Sequence, residues 1–252
     1  MSNIIILELE NPKINNLKKK TFALPKLNWS EKFDKLGGYR FTVSARVKSM
    51  RNNGYGEIIS DFFKIDPTTP NEIETVIRRL LTKNNIEDNK KLTEIYHLIQ
   101  LWGGNSSWTY YVKYAKHFNV NNYKKLIKVT VNKQNKVEEI VEASKIFSNE
   151  TPGINISFIT KHIRFWQKEF NFKNPLPIYD QIMSKYIMGV ENTTNKWSDL
   201  RFYWYKMIEA ANKIKTEKSF NNFSTWELER QLFLFFQNDP ENNGWPRQDS
   251  NH

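Results

Sequence analysis

The sequence predicts a mostly α-helical fold, because apolar side chains recur at helical spacing from about residue 70 onward and helix start and stop signals flank them. In the segment 89–102 the apolar residues fall on one stripe, and Gly103-Gly104 supplies the stop. Near the other end, Ser224-Thr-Trp-Glu227 has the form of a capping box, in which the hydroxyl and the carboxylate each satisfy a backbone N–H. A helix is expected to follow it.

The remaining segments follow the same pattern. Clusters of Asn and Lys, among them 83–91 and 121–136, predict surface turns between the helices. The predicted helices cover 72–83, 89–102, a segment from Asn105 or Ser106 to Ala115, 136–148, 156–170 and 197–214.

The first 65 residues differ from the rest in pattern. Alternating apolar and polar residues from Tyr39 to Val47 predict a strand. We therefore expect an N-terminal appendage, residues 1–65, that contains strands, followed by one or two helical domains in residues 66–252.

Composition narrows the classes of function. A net charge of +11 attracts polyanions such as nucleic acid. The chain has no cysteine and four scattered histidines, which excludes disulfides, thiolate nucleophiles and Fe–S clusters and predicts a protein without metal or cofactor. The first apolar run is four residues long, too short for a signal peptide or a membrane span. We expect a cytoplasmic monomer with no membrane partner.

A Pro-Gly turn at residues 149–157 separates two predicted helices. Gly153 lets the backbone approach a ligand closely, and the first N–H groups of the next helix can bind a phosphate. One face of that helix is apolar. The other carries the polar and basic residues Ser157, Lys161, Arg164 and Lys168, a pattern typical of a DNA-backbone clamp but equally of a solvated face.

A carboxylate follows this helix at the end of an extended, proline-stiffened segment. In Asn174-Pro-Leu-Pro-Ile-Tyr-Asp180, the aspartate stands where a helix begins. It can serve simply as the N-cap of that helix. An ionised carboxylate beside a sugar also stabilises the oxocarbenium-like state through which glycosidic bonds break, or orients the attacking water.

Together these segments resemble the signature of the helix-hairpin-helix DNA glycosylase superfamily. The likeness lies in Thr151-Pro-Gly-Ile-Asn-Ile-Ser, the helix from Phe158 to Trp166, and Leu176-Pro-Ile-Tyr-Asp180. It is closest to bacterial proteins described as having an 8-oxoguanine DNA glycosylase fold, and 101–107 and 223–233 add to it. The resemblance spans roughly residues 70–237.

The resemblance implies roles for single residues. Asp180 matches the catalytic aspartate and Gly153 the first hairpin glycine, whereas Asn155 replaces the second, a substitution that left-handed geometry tolerates. Ser157 stands where bifunctional members carry a Schiff-base lysine. Either Lys161, one turn or about 6 Å further along, is an alternative amine, or Asp180 directs water in a monofunctional enzyme. The second reading is favoured.

A glycosylase must flip its base and hold it between aromatic faces. The aromatic residues around Gly103-Gly104 and in the helix after Asp180 are candidates for the pocket wall, although most are expected in the core. Asn105 is a candidate for filling the gap left by the flipped base, or a helix cap. The residues proposed for the pocket are Trp102, Trp108, Tyr179, Tyr203 and Trp204, and those for the DNA backbone are Gly153, Asn155, Ile156, Ser157 and Arg164.

The sequence therefore predicts a DNA N-glycosylase acting on double-stranded DNA. The implied substrate is an oxidised purine or a hypermodified base such as those of phage DNA. The alternative is a non-catalytic helix-hairpin-helix protein that binds DNA in repair, regulation or phage defence.

Overall fold

A computed structural model describes residues 4–9, 20–25, 43–103, 115, 118–180, 183, 197–216 and 223–238 of the chain. These residues are mostly helical, which confirms the predicted fold class at that level. They form two compact units. The hairpin unit holds the described residues from 43 to 171, and the carboxylate unit holds the two N-terminal strands and the described residues from 172 onward.

The hairpin unit is built around one long helix. Its helices are α1 Ser44–Met50, α2 Gly56–Phe62, α3 Pro70–Leu80, α4 Lys83–Glu87, α5 Asn89–Gly103, α6 Val120–Val131, α7 Val137–Glu150 and α8 Ile156–Glu169. Helix α5 packs against α3, α4, α6 and α8, and every residue from Glu94 to Gly103 is buried. A helix covered on all sides belongs at the centre of a domain.

Two stretches of this unit differ from the sequence prediction. The strand predicted at 39–47 is wrong from Ser44 onward, because Val43, Val47 and Met50 are buried at helical spacing and the chain there forms α1. The turn predicted at 121–136 is wrong for most of its length, since residues up to Val131 belong to α6, capped by the Asn119 side chain.

Buried polar side chains join three helices of the hairpin unit. His162 of α8 is fully buried, with its Nδ1 2.8 Å from the Tyr123 hydroxyl of α6 and its Nε2 2.8 Å from the Gln100 amide of α5. The Trp166 indole donates to the same Tyr123 hydroxyl at 3.1 Å. Directional hydrogen bonds in an apolar core fix the relative position of the three helices.

The carboxylate unit combines the two ends of the described chain. Strands β1 Ile4–Leu9 and β2 Lys20–Pro25 pair antiparallel, and helices α9 Trp197–Thr216 and α10 Thr225–Asn238 contact each other. Strand β1 contacts α9 and β2 contacts α10. Because the strands pack on the last helices, the compact units do not follow the division predicted at residue 65.

The predicted capping box is present at the start of α10. The Glu227 carboxylate accepts the Ser224 backbone N–H at 3.0 Å, and the Ser224 hydroxyl accepts the Trp226 N–H at 3.2 Å. In the described part of the chain, the helices are all too short or too polar to cross a lipid bilayer.

The buried histidines give the hairpin unit a predicted sensitivity to acid. Burial lowers the pKa of His97 to about 3 and that of His162 well below its usual value, so both rings are neutral when folded at pH 7. Protonation near pH 6.5 stabilises the unfolded chain. The contribution of the neutral histidines to the unfolding free energy is therefore fully present above about pH 6.5. Below that pH the unfolding free energy falls, by up to about 1.4 kcal/mol per pH unit for each histidine. Urea unfolding at pH 7.5, 6 and 5 measures this slope.

The control for this slope is His97→Phe. The His97 ring packs against Tyr55 and Tyr96, so a phenylalanine ring suits the same site, and it cannot be protonated. The variant should lose part of the dependence on pH. A wild-type unfolding free energy that stays constant from pH 7.5 to 5 would show that the two histidines are accessible to protons in the folded state.

Candidate functional site

The segment that leads to Asp180 is extended, and side chains rather than backbone satisfy its polar groups. The Trp204 indole N–H donates to the Pro177 carbonyl at 2.8 Å, and the Tyr203 hydroxyl donates to the Ile178 carbonyl at 2.9 Å. Both side chains come from α9. They fix two successive carbonyls of a segment that forms no helix or strand.

Helix α10 holds the same segment through two further contacts. The buried Glu229 carboxylate accepts the Ile178 N–H at 3.0 Å, and the Thr225 hydroxyl donates to the Pro175 carbonyl. Because the segment is held by two helices, its backbone has little freedom, and the position of the next residue, Asp180, is set by the core of the carboxylate unit.

Asp180 makes the hydrogen bond that the sequence predicts for an N-cap. Its Oδ1 accepts the backbone N–H of Met183 at 3.0 Å, the bond from the third helical residue that a capping side chain makes. The residue is half-buried. The bond to the Met183 N–H thus orients the carboxylate of a residue that is partly exposed.

The aromatic residues predicted for a base pocket are mostly core residues. Tyr179, Tyr203 and Trp204 are completely buried, and Tyr203 and Trp204 are used to hold the segment. Trp102 is buried edge-on against Phe165, with ring centroids 4.9 Å apart. Of the four consecutive aromatics in α9, Tyr205 is exposed, at 45%. Trp108 and Asn105 lie outside the described residues.

Helices α7 and α8 are joined by a tight turn at residues 151–155, where the sequence predicts a hairpin. Gly153 has a φ of 89°, a left-handed conformation that favours glycine. Asn155 is not left-handed: at φ −108° it is extended, and its side chain accepts the Phe158 N–H at 3.2 Å as the N-cap of α8. The tolerance of left-handed geometry, on which its sequence assignment depended, is therefore not needed here.

Around the start of α8, the residues predicted to face DNA differ in exposure. Pro152 and Gly153 are exposed, whereas the Ile156 side chain is buried and Ser157 is half-buried. The tip of the hairpin therefore exposes the Pro152 ring and the backbone of Gly153.

Lys161 is engaged at the end of α5. Its ammonium donates to the Gly103 carbonyl at 2.5 Å and lies 4.6 Å from the centre of the Phe158 ring. The stem passes so close that a Cβ on residue 103 would fall 2.5 Å from Lys161 Cδ, so a larger residue at that position would displace the lysine side chain. Arg46 donates to the preceding carbonyls, of Leu101 and Trp102, at 2.7 and 3.1 Å.

Two cations thus bind the last three carbonyls of α5, where the helix dipole favours positive charge. Burial lowers the pKa of Arg46 to about 10, which still leaves it charged at neutral pH.

The predicted basic face of α8 is wrong at Arg164, which does not face solvent. Its side chain is completely buried, with the guanidinium 5.6 Å from the Trp102 ring centre and 5.4 Å from that of Phe165. Guanidinium groups pack on aromatic rings, so a charged residue on a polar stripe need not face solvent. The exposed part of that face is reduced to the half-buried Ser157, Lys161 and Lys168.

Two buried acidic residues of the carboxylate unit were not singled out by the sequence analysis. Glu229 and Asp199 are acidic residues at buried positions, 4% exposed each. Each interrupts an otherwise apolar stripe, Glu229 beside Leu228 and Leu232, and Asp199 one turn before Tyr203. A carboxylate on an apolar stripe is the signal that could have identified them.

Comparison with known proteins returns no match to a family model, to a curated protein or to a solved structure. Within the described residues no group of histidine, aspartate and glutamate side chains is arranged to hold a metal ion.

The hydrogen bond from Tyr203 can be tested with a matched pair of variants. Tyr203→Phe removes the hydroxyl that binds the Ile178 carbonyl and leaves that buried acceptor unsatisfied, so we expect a loss of about 1 to 3 kcal/mol in unfolding free energy. Tyr205→Phe makes the same change two residues away, at a side chain that is 45% exposed, and should change the unfolding free energy by no more than about 0.5 kcal/mol. Urea unfolding compares the two, and equal effects would contradict the assignment.

Proposed function

We propose that this chain is a DNA N-glycosylase in which Asp180 is the catalytic carboxylate. The observation that supports this best is the anchoring of the segment before Asp180 by four side chains from two helices, far more than an N-cap requires. A carboxylate held this firmly is preorganised for electrostatic work on a reacting group. The resemblance of this segment to the superfamily signature supports the same reading.

The proposed reaction is hydrolysis of the bond between the sugar C1′ and the base nitrogen. That bond breaks with its electron pair going to the base, which leaves after protonation. The positive charge that develops on the sugar is stabilised by the ionised Asp180. Water then adds to C1′ and gives up a proton, which Asp180 or solvent accepts. The products are the free base and an abasic sugar.

Binding of double-stranded DNA is the proposed role of the hairpin unit. The exposed Pro152-Gly153 turn and the N–H groups of Ile156 and Ser157, which precede the N–H that Asn155 caps, are suited to a phosphate. The net charge of +11 adds long-range attraction. The substrate base, an oxidised purine or a hypermodified base, follows from the resemblance alone.

Asp180→Asn tests the catalytic role with little disturbance of the fold. Because the amide oxygen of asparagine can still accept the Met183 N–H, the cap is kept while the charge is removed. We expect release of bases from a panel of modified duplexes to fall by at least about 100-fold, the scale of a lost transition-state electrostatic contact. DNA affinity should stay within about threefold of wild type.

Two outcomes would contradict this proposal. If the wild-type protein binds DNA but releases no base from any modified duplex, it is a non-catalytic DNA-binding protein. Equal activity of wild type and Asp180→Asn would leave the aspartate as a cap only. Asp180→Ala separates stability from chemistry, since it removes the cap as well and should cost about 1 kcal/mol of unfolding free energy.

Borohydride trapping tests Lys161. A Schiff base requires a neutral amine free to attack the sugar, whereas Lys161 directs its ammonium at the Gly103 carbonyl and the Phe158 ring. We expect no covalent protein–DNA product when borohydride is added during base release. Capture of such a product, and its loss in Lys161→Gln, would assign lyase chemistry to this residue.

A further inference from the structure

Asp199 is a second acidic residue in the carboxylate unit, one for which the proposed reaction has no role so far. It lies in the first turn of α9 and is 4% exposed. Burying a carboxylate costs several kcal/mol unless its surroundings compensate. The N-terminal end of a helix does so in part, because the helix dipole favours negative charge there.

The hydrogen bonds to the segment before Asp180 show where Asp199 lies along it. Trp204 binds the Pro177 carbonyl, and Tyr203, one residue earlier in α9, binds the carbonyl of the next residue, Ile178. The segment and α9 therefore run in opposite directions where they meet. Asp199 precedes Tyr203 by four residues, which places it one turn closer to the helix start on the same face. The register therefore directs Asp199 toward residues 179 and 180.

Tyr179 is the neighbour that this register predicts. Its ring is completely buried and lies 5.1 Å from the ring of Tyr203. Its pKa is raised to about 12, chiefly by burial and further by the negative charge of Asp199. The buried carboxylate is thus electrostatically coupled to the residue that immediately precedes Asp180.

We propose that Asp199 is a positioning residue of the glycosylase site, acting through Tyr179 and Asp180. This inference rests on the proposed function. A fixed charge at the start of α9 keeps Tyr179 seated as a neutral phenol and adds a second negative potential behind Asp180. The second negative potential favours a positively charged sugar in the transition state over the neutral ground state.

The other ionisable groups around the segment have different roles. Glu229 of α10 is committed to the Ile178 N–H, and the Tyr203 hydroxyl to the Ile178 carbonyl. Neither Asp199 nor Tyr179 takes part in these two bonds, and we take these two groups as the ones that tune Asp180. Since a like charge disfavours ionisation, removal of Asp199 should make Asp180 the stronger acid.

The test is Asp199→Asn, which conserves shape and removes charge. We expect base release to fall by about tenfold or more and the acid limb of its pH–rate profile to move to lower pH, with DNA affinity within about threefold of wild type. Asp199→Glu keeps the charge and should keep the wild-type profile. Glu209→Gln removes a charge from the exposed side of the same helix, where the residue pairs with Lys206, and should change neither quantity.

A second readout does not depend on activity. Tyrosine ionisation followed by ultraviolet absorbance should show one tyrosine titrating at lower pH in Asp199→Asn than in wild type. The difference should disappear when both proteins also carry Tyr179→Phe. If it persists, or if none is seen, Asp199 does not act on Tyr179 and the inference is wrong.

The outcomes separate this inference from the function on which it rests. Normal base release by wild type, with Asp199→Asn indistinguishable in rate and pH profile, overturns the role of Asp199 and leaves Asp180 as proposed. Absence of base release by wild type removes the proposed function and the inference together. If Asp199→Asn does not fold, Asp199→Glu becomes the deciding variant. Loss of activity in a normally folded Asp199→Glu would count against the inference.

Discussion

The carboxylate unit depends on a short length of backbone that has no secondary structure. From Pro175 to Ile178 the chain cannot satisfy its own polar groups, and prolines at 175 and 177 remove two of its donors. Each of the four hydrogen bonds described for it comes from a helix far along the chain, 25 to 51 residues away. The position of Asp180 therefore depends on the packing of α9 and α10, because side chains of both helices hold the segment that precedes it.

The hairpin unit is organised by a comparable principle at its centre. Its polar groups meet inside the core, where His162 links α5, α6 and α8. At the end of α5 two cations bind three successive carbonyls, and a glycine makes room for one of them. In both units, buried polar contacts hold elements whose apolar packing alone would allow small shifts.

Local sequence predicted those features that depend on a few neighbouring residues. The helix ending at Gly103, the hairpin glycine, the capping box and Asp180 as an N-cap all follow from side chains within one turn of each other. Helix α6 was missed because its Asn and Lys residues suggested a turn, although Tyr123, Leu126, Ile127 and Thr130 recur at helical spacing. There the apolar period was a better guide than composition.

Contacts between distant segments could not be predicted in the same way. The sequence pattern places Arg164 on a face that meets DNA or solvent, yet its side chain is buried among aromatic rings. Asp199, on which the pattern gives no prediction, is buried at a helix start. Likewise, Tyr203 and Trp204 were expected to line a pocket, and their polar edges instead bind backbone. The spacing of residues along one helix does not show which distant group a buried polar side chain will bind. It also does not show whether an aromatic ring will be enclosed by other elements.

The turn between α7 and α8 has a consequence for how such hairpins are recognised in other chains. One residue, Gly153, takes the left-handed conformation, and the position two residues later is filled by an asparagine whose side chain closes the first turn of the next helix. In this turn the second position is extended and supplies a capping oxygen, so it does not need the conformational freedom of glycine. A search pattern that demands glycine at both positions will pass over hairpins of this kind, whereas one that accepts asparagine, aspartate or serine at the second will find them.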